Sequence, residues 1–292
     1  MFEKQARVTI VIPCYNDGKY IDEAVDSILA QTYRDFEIII VNDGSTDAFT
    51  NDLLKNYNKP KTRVLHKSNG HLSSARNHGI KHSKAEYILP FDADDIFEPS
   101  YLEKAVNILD ENPEIGVVTC DIRLFENARG VWRSKSGDMM DLLAKNDICG
   151  NSLFRYQCWE DAGGYNENMR GFEDWNFWIG VGKKGWKFYS IPEVLFNYRI
   201  TSKSMYQNVL KKSPELTRQI VLNHIEVYKE HFVTVIYEKQ KQLMILEEKM
   251  RNQEEKMQQK IKALERSTAY KLGSFLLWPV IRIYDLFNTS KK

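Results

Sequence analysis

The sequence predicts an α/β fold: a mostly parallel central sheet flanked by helices, followed by a C-terminal helical extension. Three observations carry this. Short runs of apolar, β-branched residues alternate with amphipathic stretches over the first 125 residues. The runs are apolar throughout, the pattern of strands covered on both faces. Beyond Tyr206 glycine and proline nearly vanish while charge rises, which marks a separate helical region.

The elements follow in order. Residues 8–13 form a strand, and 21–31 an amphipathic helix after a loop. Residues 36–41 are strand-like, 51–57 look helical and 62–66 form a third strand. A helix at 73–82, a strand at 87–91, a helix at 100–112 and a strand at 115–120 complete the alternation. In sheets of this kind ligands bind beyond the carboxyl ends of the strands, so the loops after them are the ones to search. Residues 129–199 are less regular and rich in Gly, Trp, Asn and Tyr, and long irregular segments are often functional. The principal domain is therefore set at 1–206.

Residues 207–266 read as a helical stalk. Ile236, Leu243, Met250, Met257 and Leu264 fall every seventh residue, one apolar seam of a coiled coil that would make oligomers. A second seam has only Leu246 and Ile261, so the alternative is a long solvated helix packing on its own domain. Residues 267–292 change again. Apolar side chains dominate, Lys271, Ser274, Trp278, Arg282 and Asp285 form a narrow polar strip at helical spacing, and Pro279 would kink the helix. This suits an amphipathic segment at a membrane interface. The alternative is a helix buried between subunits.

Composition narrows the function. A net charge of +1 gives no bulk attraction to nucleic acid. Cys14, Cys120, Cys149 and Cys158 are scattered without a Cys-x-x-Cys pair, which argues against zinc and disulfides and for a reducing compartment. No secretory signal pattern precedes the first strand. The uncharged apolar stretch at 272–281 falls short of the roughly 20 residues a spanning helix needs. The expectation is a cytoplasmic protein at the inner face of the cell membrane.

The strongest motif is Phe91-Asp92-Ala93-Asp94-Asp95, directly after an apolar strand. Carboxylates crowded this closely repel one another unless a cation compensates. Asp92 and Asp94 have Asp-x-Asp spacing, and hard oxygen ligands suit Mg²⁺ or Mn²⁺, which also bind diphosphate oxygens. The alternative is an acidic turn capping the helix that begins near Pro99. Three further motifs should gather on the same sheet edge. Val11-Ile12-Pro13-Cys14-Tyr15-Asn16 closes the first strand, Val41-Asn42-Asp43-Gly44-Ser45-Thr46-Asp47 closes the second, and Ser73-Ser74-Ala75-Arg76-Asn77-His78-Gly79 opens a helix.

This ordered set resembles glycosyltransferase family 2, with its GT-A nucleotide-diphospho-sugar transferase fold. Ala162-Gly163-Gly164-Tyr165, Gly171-Phe172-Glu173-Asp174-Trp175 and Gly185-Trp186 extend the resemblance, which covers residues 8–204. It implies that Pro13 and Tyr15 border the base and ribose and that Asp43 hydrogen-bonds the base. A carboxylate at Asp43 can accept the N3–H of uracil, which favours UDP; its alternative is an ordinary Asp-Gly turn. Arg76 falls where the family places a basic residue near the diphosphate or base, unless it only makes a surface salt bridge. Asp92, Ala93 and Asp94 fall at the nucleotide-sugar contacts, with Asp94 and Asp92 as metal ligands. Asp95 either shares the metal role or orients a ligand.

Residues 129–199 then become the acceptor half. Asp174 falls at the general base and Glu173 at the residue that positions it or the acceptor, although both also suit the charge at a helix start. Trp175 and Trp178 either offer a flat face to a sugar or pack in the core. Family members often carry a His two residues after the Arg of Tyr198-Arg199; Thr201 stands there instead, so no metal or phosphate role passes to it. The Gln-x-x-Arg-Trp signature of processive synthases is absent, which favours single-sugar transfer.

The implied reaction is an inverting displacement from a metal-bound UDP-sugar onto the hydroxyl of a glycan or lipid-linked glycan, as in bacterial surface-polysaccharide assembly. Two rivals remain. A sugar nucleotidyltransferase would need a Gly-rich basic loop after the first strand, which 14–19 lacks. A non-catalytic sugar-binding or scaffold protein would have lost Asp92, Asp94 and Asp174, which are present.

Overall fold

The structure, a computed structural model, describes residues 5–201, 209 and 211–266. These fall into two compact units, divided between Phe232 and Val233.

The first unit is built on a nine-stranded sheet of order β3-β2-β1-β4-β8-β6-β9-β5, with β7 paired to β6. Its strands are β1 (Val8–Cys14), β2 (Phe36–Asp43), β3 (Thr62–Lys67), β4 (Tyr87–Pro90), β5 (Ile96–Phe97), β6 (Ile115–Glu126), β7 (Gly130–Trp132), β8 (Leu153–Arg155) and β9 (Lys187–Ile200). Its helices are α1 (Gly18–Leu29), α2 (Ala48–Lys55), α3 (His71–Lys81), α4 (Tyr101–Glu111), α5 (Met139–Ala144), α6 (Tyr156–Ala162), α7 (Glu173–Gly182), α8 (Ser213–Asn223) and α9 (Ile225–Glu230).

The apolar runs do what their composition requires. Every residue of β1 is buried, and β1 pairs in parallel with both β2 and β4. α1 covers it with Ile21, Ala24, Val25 and Ile28, spaced to share one helical face. α3 lies against β1 and β2, and its Gly79 is the reason it fits: a Cβ there would meet Val11 Cγ1 at 2.3 Å. α4 is locked by Tyr101, whose buried hydroxyl donates to the Val118 carbonyl at 2.7 Å and accepts from the Leu153 amide at 2.9 Å.

Beyond β4 the sheet becomes mixed. β8 runs antiparallel to both β4 and β6, whereas β6 and β9 are parallel. The stretch expected to be irregular therefore holds β7, β8, the 14-residue β9 and three helices. β6 also continues past Cys120 to Glu126, because β9 pairs along its whole length. The parallel strands β1, β2 and β4 all end on one edge, and Arg76 of α3 joins the loop after β4 to the start of α7.

The first unit also takes in residues expected at the base of the stalk. Leu216 and Ile220 of α8 and Tyr228 of α9 are buried, and the Tyr228 hydroxyl donates to the Leu143 carbonyl at 3.0 Å. The described part of the second unit is one helix, α10, within Phe232–Arg266. The heptad residues Ile236, Leu243, Met250, Met257 and Leu264 lie on it and are exposed. Among the described residues no helix is long and apolar enough to cross a membrane. The amphipathic segment expected at 267–292 lies outside the described residues. All four cysteines are free and buried.

Candidate active site

The loop after β4 carries the acidic cluster, and its three carboxylates have different surroundings. Asp92 is half-buried; it accepts from Arg76 Nη2 at 2.8 Å, and its amide donates to Asn151 Oδ1 at 3.1 Å. Asp95 is fully buried. One of its oxygens accepts the Arg199 amide at 2.8 Å, and the other accepts Asn151 Nδ2 at 3.3 Å. Asp95 is thus already committed to the protein and anchors the loop to β9. Asp94 has no such side-chain partners among the described residues. Burial, then the nearby charges of Asp92 and Asp17, push its pKa up to about 7.

That surplus of negative charge is a test of whether a cation fits. Among the described residues no group of three or more His, Cys, Asp or Glu is placed to hold a metal ion. Asp94 and Asp92 still supply hard oxygen donors, and a diphosphate could complete the shell of Mg²⁺ or Mn²⁺. The donor set fits an ion that arrives with a diphosphate, not a resident structural ion.

Arg76 connects this cluster to the other acidic pair. It is 2% exposed on α3, donating to Asp92 and, through Nη1, to Glu173 Oε1 at 2.8 Å. Its guanidinium lies 5.5 Å from the centre of the Tyr165 ring. Two protein carboxylates hold the guanidinium, and its burial excludes an exposed salt bridge.

Glu173 and Asp174 form the first turn of α7, where unpaired amides favour acidic side chains. The chain enters through Gly171, at φ 139°, and Phe172, at φ 53°, a left-handed conformation costly for a non-glycine residue. A Cβ on Gly171 would come within 2.9 Å of Leu216 Cδ1, so glycine is required at that turn. Asp174 is half-buried; it accepts from the Trp175 amide at 2.8 Å and from Asn146 Nδ2 at 3.1 Å. Burial, then the charge of Glu173, raise its pKa to about 7. A base poised near neutrality is suited to accept a hydroxyl proton.

On the other side, Pro13 is buried at the end of β1 while Tyr15 is 44% exposed beyond it. Asn16, at φ 60°, clamps the two neighbouring loops: its Oδ1 accepts the amides of Thr46 and Asp47 at 2.8 and 2.9 Å. Asp43 is 3% exposed, and its Oδ1 accepts Lys67 Nζ at 2.7 Å and the Gly70 amide at 3.0 Å. A carboxylate has further lone pairs, so these bonds orient it without exhausting it. Ala93 is buried between the first two aspartates.

Both tryptophans prove to be core residues. Trp178 is fully buried against Phe154, Phe177 and Phe188. Trp175 is buried with its indole N–H donating to the Leu142 carbonyl at 2.7 Å. Neither offers a face to a sugar. Sequence reasoning missed Asp17, Asn16, Asn146 and Asn151, whose side chains become informative only when distant loops meet. Arg199 proves to be a brace, donating to the Asp94 carbonyl at 2.6 Å and to Glu126 at 2.7 Å. A cavity of ≈ 580 Å³ lined by Arg7, Lys84, Glu86, Arg155, Tyr156 and Trp186 lies at the opposite ends of β1 and β4, away from this chemistry. Arg7 there is paired with Glu86 and Asp110.

Known proteins share both sequence and fold with this chain. The family described as Glycosyl transferase family 2 matches residues 9–208. An uncharacterised glycosyltransferase of Rickettsia typhi is 30% identical over 82% of this chain and 74% of its own length. One from Haemophilus influenzae is 30% identical over 76% of this chain and 74% of its own. A longer Rickettsia felis glycosyltransferase is 48% identical over 36% of this chain, but that match spans only 17% of its own length. Among solved structures, S. aureus TarS residues 1–349 in complex with UDP-GlcNAc align with a TM-score of 0.63 at 21% identity, over 74% of this chain and 66% of theirs. Another crystal structure of S. aureus TarS residues 1–349 aligns at 0.60, with the chain spanning 65% of its length. At that identity the likeness concerns the fold, a central sheet flanked by helices as in GT-A glycosyltransferases. With a family match over most of its first unit and relatives of this closeness, the chain belongs to glycosyltransferase family 2.

Proposed function

We propose that this chain transfers a single sugar from a nucleotide diphosphate donor, with UDP preferred, to an acceptor hydroxyl by inverting displacement. The observation that carries the reading is the buried Arg76 bridge, which fixes the Asp92 loop and the start of α7 side by side on one sheet edge. The donor nucleotide would lie over Pro13 and Tyr15 with its base towards Asp43. Asp174, held at the start of α7, would take the acceptor proton as the new bond forms. The TarS complexes with UDP and UDP-GlcNAc support a UDP-sugar donor on this fold.

Asp94 and Asp92 are the residues that would hold Mn²⁺ or Mg²⁺, which would neutralise the charge of the leaving diphosphate. Nucleotide release from UDP-sugars should therefore stop in EDTA and return on adding Mn²⁺. Partners of a metal ligand are already worth roughly 10–100-fold in affinity, so Asp94→Asn should weaken Mn²⁺-dependent UDP binding by at least about tenfold. Calorimetric titration of UDP reads this directly. Full turnover in chelator would overturn the metal assignment.

The acceptor is proposed to be a glycan or lipid-linked glycan at the inner membrane face, on the strength of the sequence at 267–292, with α10 giving self-association. The intact chain should sediment with vesicles containing anionic lipid, and a chain truncated after Ser267 should not. Unchanged sedimentation would remove the membrane from the reading.

A further inference from the structure

The loop between α5 and β8, residues 145–152, brings two asparagines to the site. Asn151 reaches the Asp92 loop, and Asn146 reaches Asp174. The orientation of the Asn146 amide is fixed by its own loop: its Oδ1 accepts the Ile148 amide at 3.1 Å, which leaves Nδ2 to face Asp174 Oδ2. The neighbouring Gly150 has a matching role. A Cβ there would lie 3.3 Å from Asp174 Cβ and 3.4 Å from Oδ2, so the missing side chain lets the loop close over the carboxylate.

Resting on Asp174 as the base, we infer that Asn146 is a positioning residue that holds the Asp174 carboxylate in place and favours its ionised form. The donor reaches Oδ2, while Oδ1 is already held by the Trp175 amide, so both oxygens are oriented by N–H groups. The other charged and titratable groups around Asp174 are Glu173 on the same helix, Arg76 from α3, Tyr165 from the loop before α7, and Cys149 from the loop of Asn146 itself. Glu173 opposes ionisation and Arg76 favours it. Asn146 acts in the same direction as Arg76, against burial and Glu173, without adding charge.

The variant that isolates this role is Asn146→Asp. It keeps the oxygen that accepts the Ile148 amide and nearly the same volume, but replaces the donor with a carboxylate. Asn146→Ala removes both. Titration of protein labelled with ¹³Cγ-aspartate reads Asp174 without any substrate, its resonance identified by its loss in Asp174→Asn. The midpoint should rise by about one pH unit in Asn146→Ala, a tenfold change in the ionisation equilibrium, and by more in Asn146→Asp. With UDP-GlcNAc as the probe donor, the acid limb of nucleotide release should move up by the same amount, and turnover at high pH should recover. Asn146→Ser, which restores a short donor, should lie between Asn146→Ala and the unaltered protein. An Asp174 midpoint unchanged in Asn146→Asp would overturn the inference. Because that titration is independent of turnover, it separates failure of Asn146 from failure of Asp174 as the base. A midpoint that moves while Asp174→Asn retains turnover would remove the catalytic reading and leave Asn146 as a structural partner only.

Discussion

Asp174→Asn should lose turnover by roughly 10²–10⁴-fold, the range expected for a general base, while binding UDP with near-unchanged affinity. The amide keeps the volume and can still accept the Trp175 N–H, so the start of α7 should hold its shape. What it cannot do is take a proton. The pH profile carries the same information. Since burial and Glu173 raise the Asp174 pKa to about 7, the base is largely protonated in mild acid, and turnover should rise through neutrality to a plateau in alkali. The stability consequence has the opposite sign. A carboxyl whose folded pKa lies above its unfolded value loses its stabilising contribution as pH rises from about 4 to about 7. Asp174→Asn should therefore melt no lower than the unaltered protein at pH 8. If turnover persists, Glu173 or another group is the base.

The parallel half of the fold was legible because its signal is local. An all-apolar run such as Ile38-Ile39-Ile40-Val41 has few ways to be buried except as a central strand. The ends of those strands pointed to one edge, and the Asp92 cluster, Asp43 and the Glu173-Asp174 pair all lie there or at the α7 start beside it. β9 was missed because Lys187, Ser190, Pro192 and Glu193 break its apolar pattern; its identity as a strand comes from pairing with β6 far away in sequence. Arg76 was placed near the diphosphate or base, with a surface salt bridge as the alternative, and its burial between two carboxylates was not legible. Nothing in the local sequence says that Glu173, 97 positions later, comes to face it. The tryptophans show the converse. Their helical spacing fits either a sugar platform or a core, and only burial decides.

Arg76→Met should be the most destabilising of the substitutions considered. The side chain is buried between Asp92 and Glu173, and Met roughly fills the volume without the charge. Removing one member of a buried charge network leaves its partners uncompensated, at a cost of about 3–5 kcal/mol. For a domain of this size each kcal/mol lowers the melting temperature by about 2–4 °C, so a fall of roughly 10 °C is expected by differential scanning calorimetry. Asp92 retains some solvent, with 28% of its side chain exposed, whereas Glu173 retains only 12%, so most of the cost should fall on the α7 start. Double substitution with Glu173→Gln should then recover part of the lost stability, because it removes the less solvated of the two orphaned charges. Arg76→Lys should lie between, since one ammonium cannot reproduce two guanidinium bonds pointing to different loops. The same experiment separates this role from direct binding of the donor. A residue whose main partner is the diphosphate would lose UDP affinity while the apo protein melted as before. A residue that braces the two acidic loops loses stability with no nucleotide present, and UDP binding falls only as a consequence. An unchanged melting temperature in Arg76→Met, with weakened UDP binding, would return Arg76 to the donor.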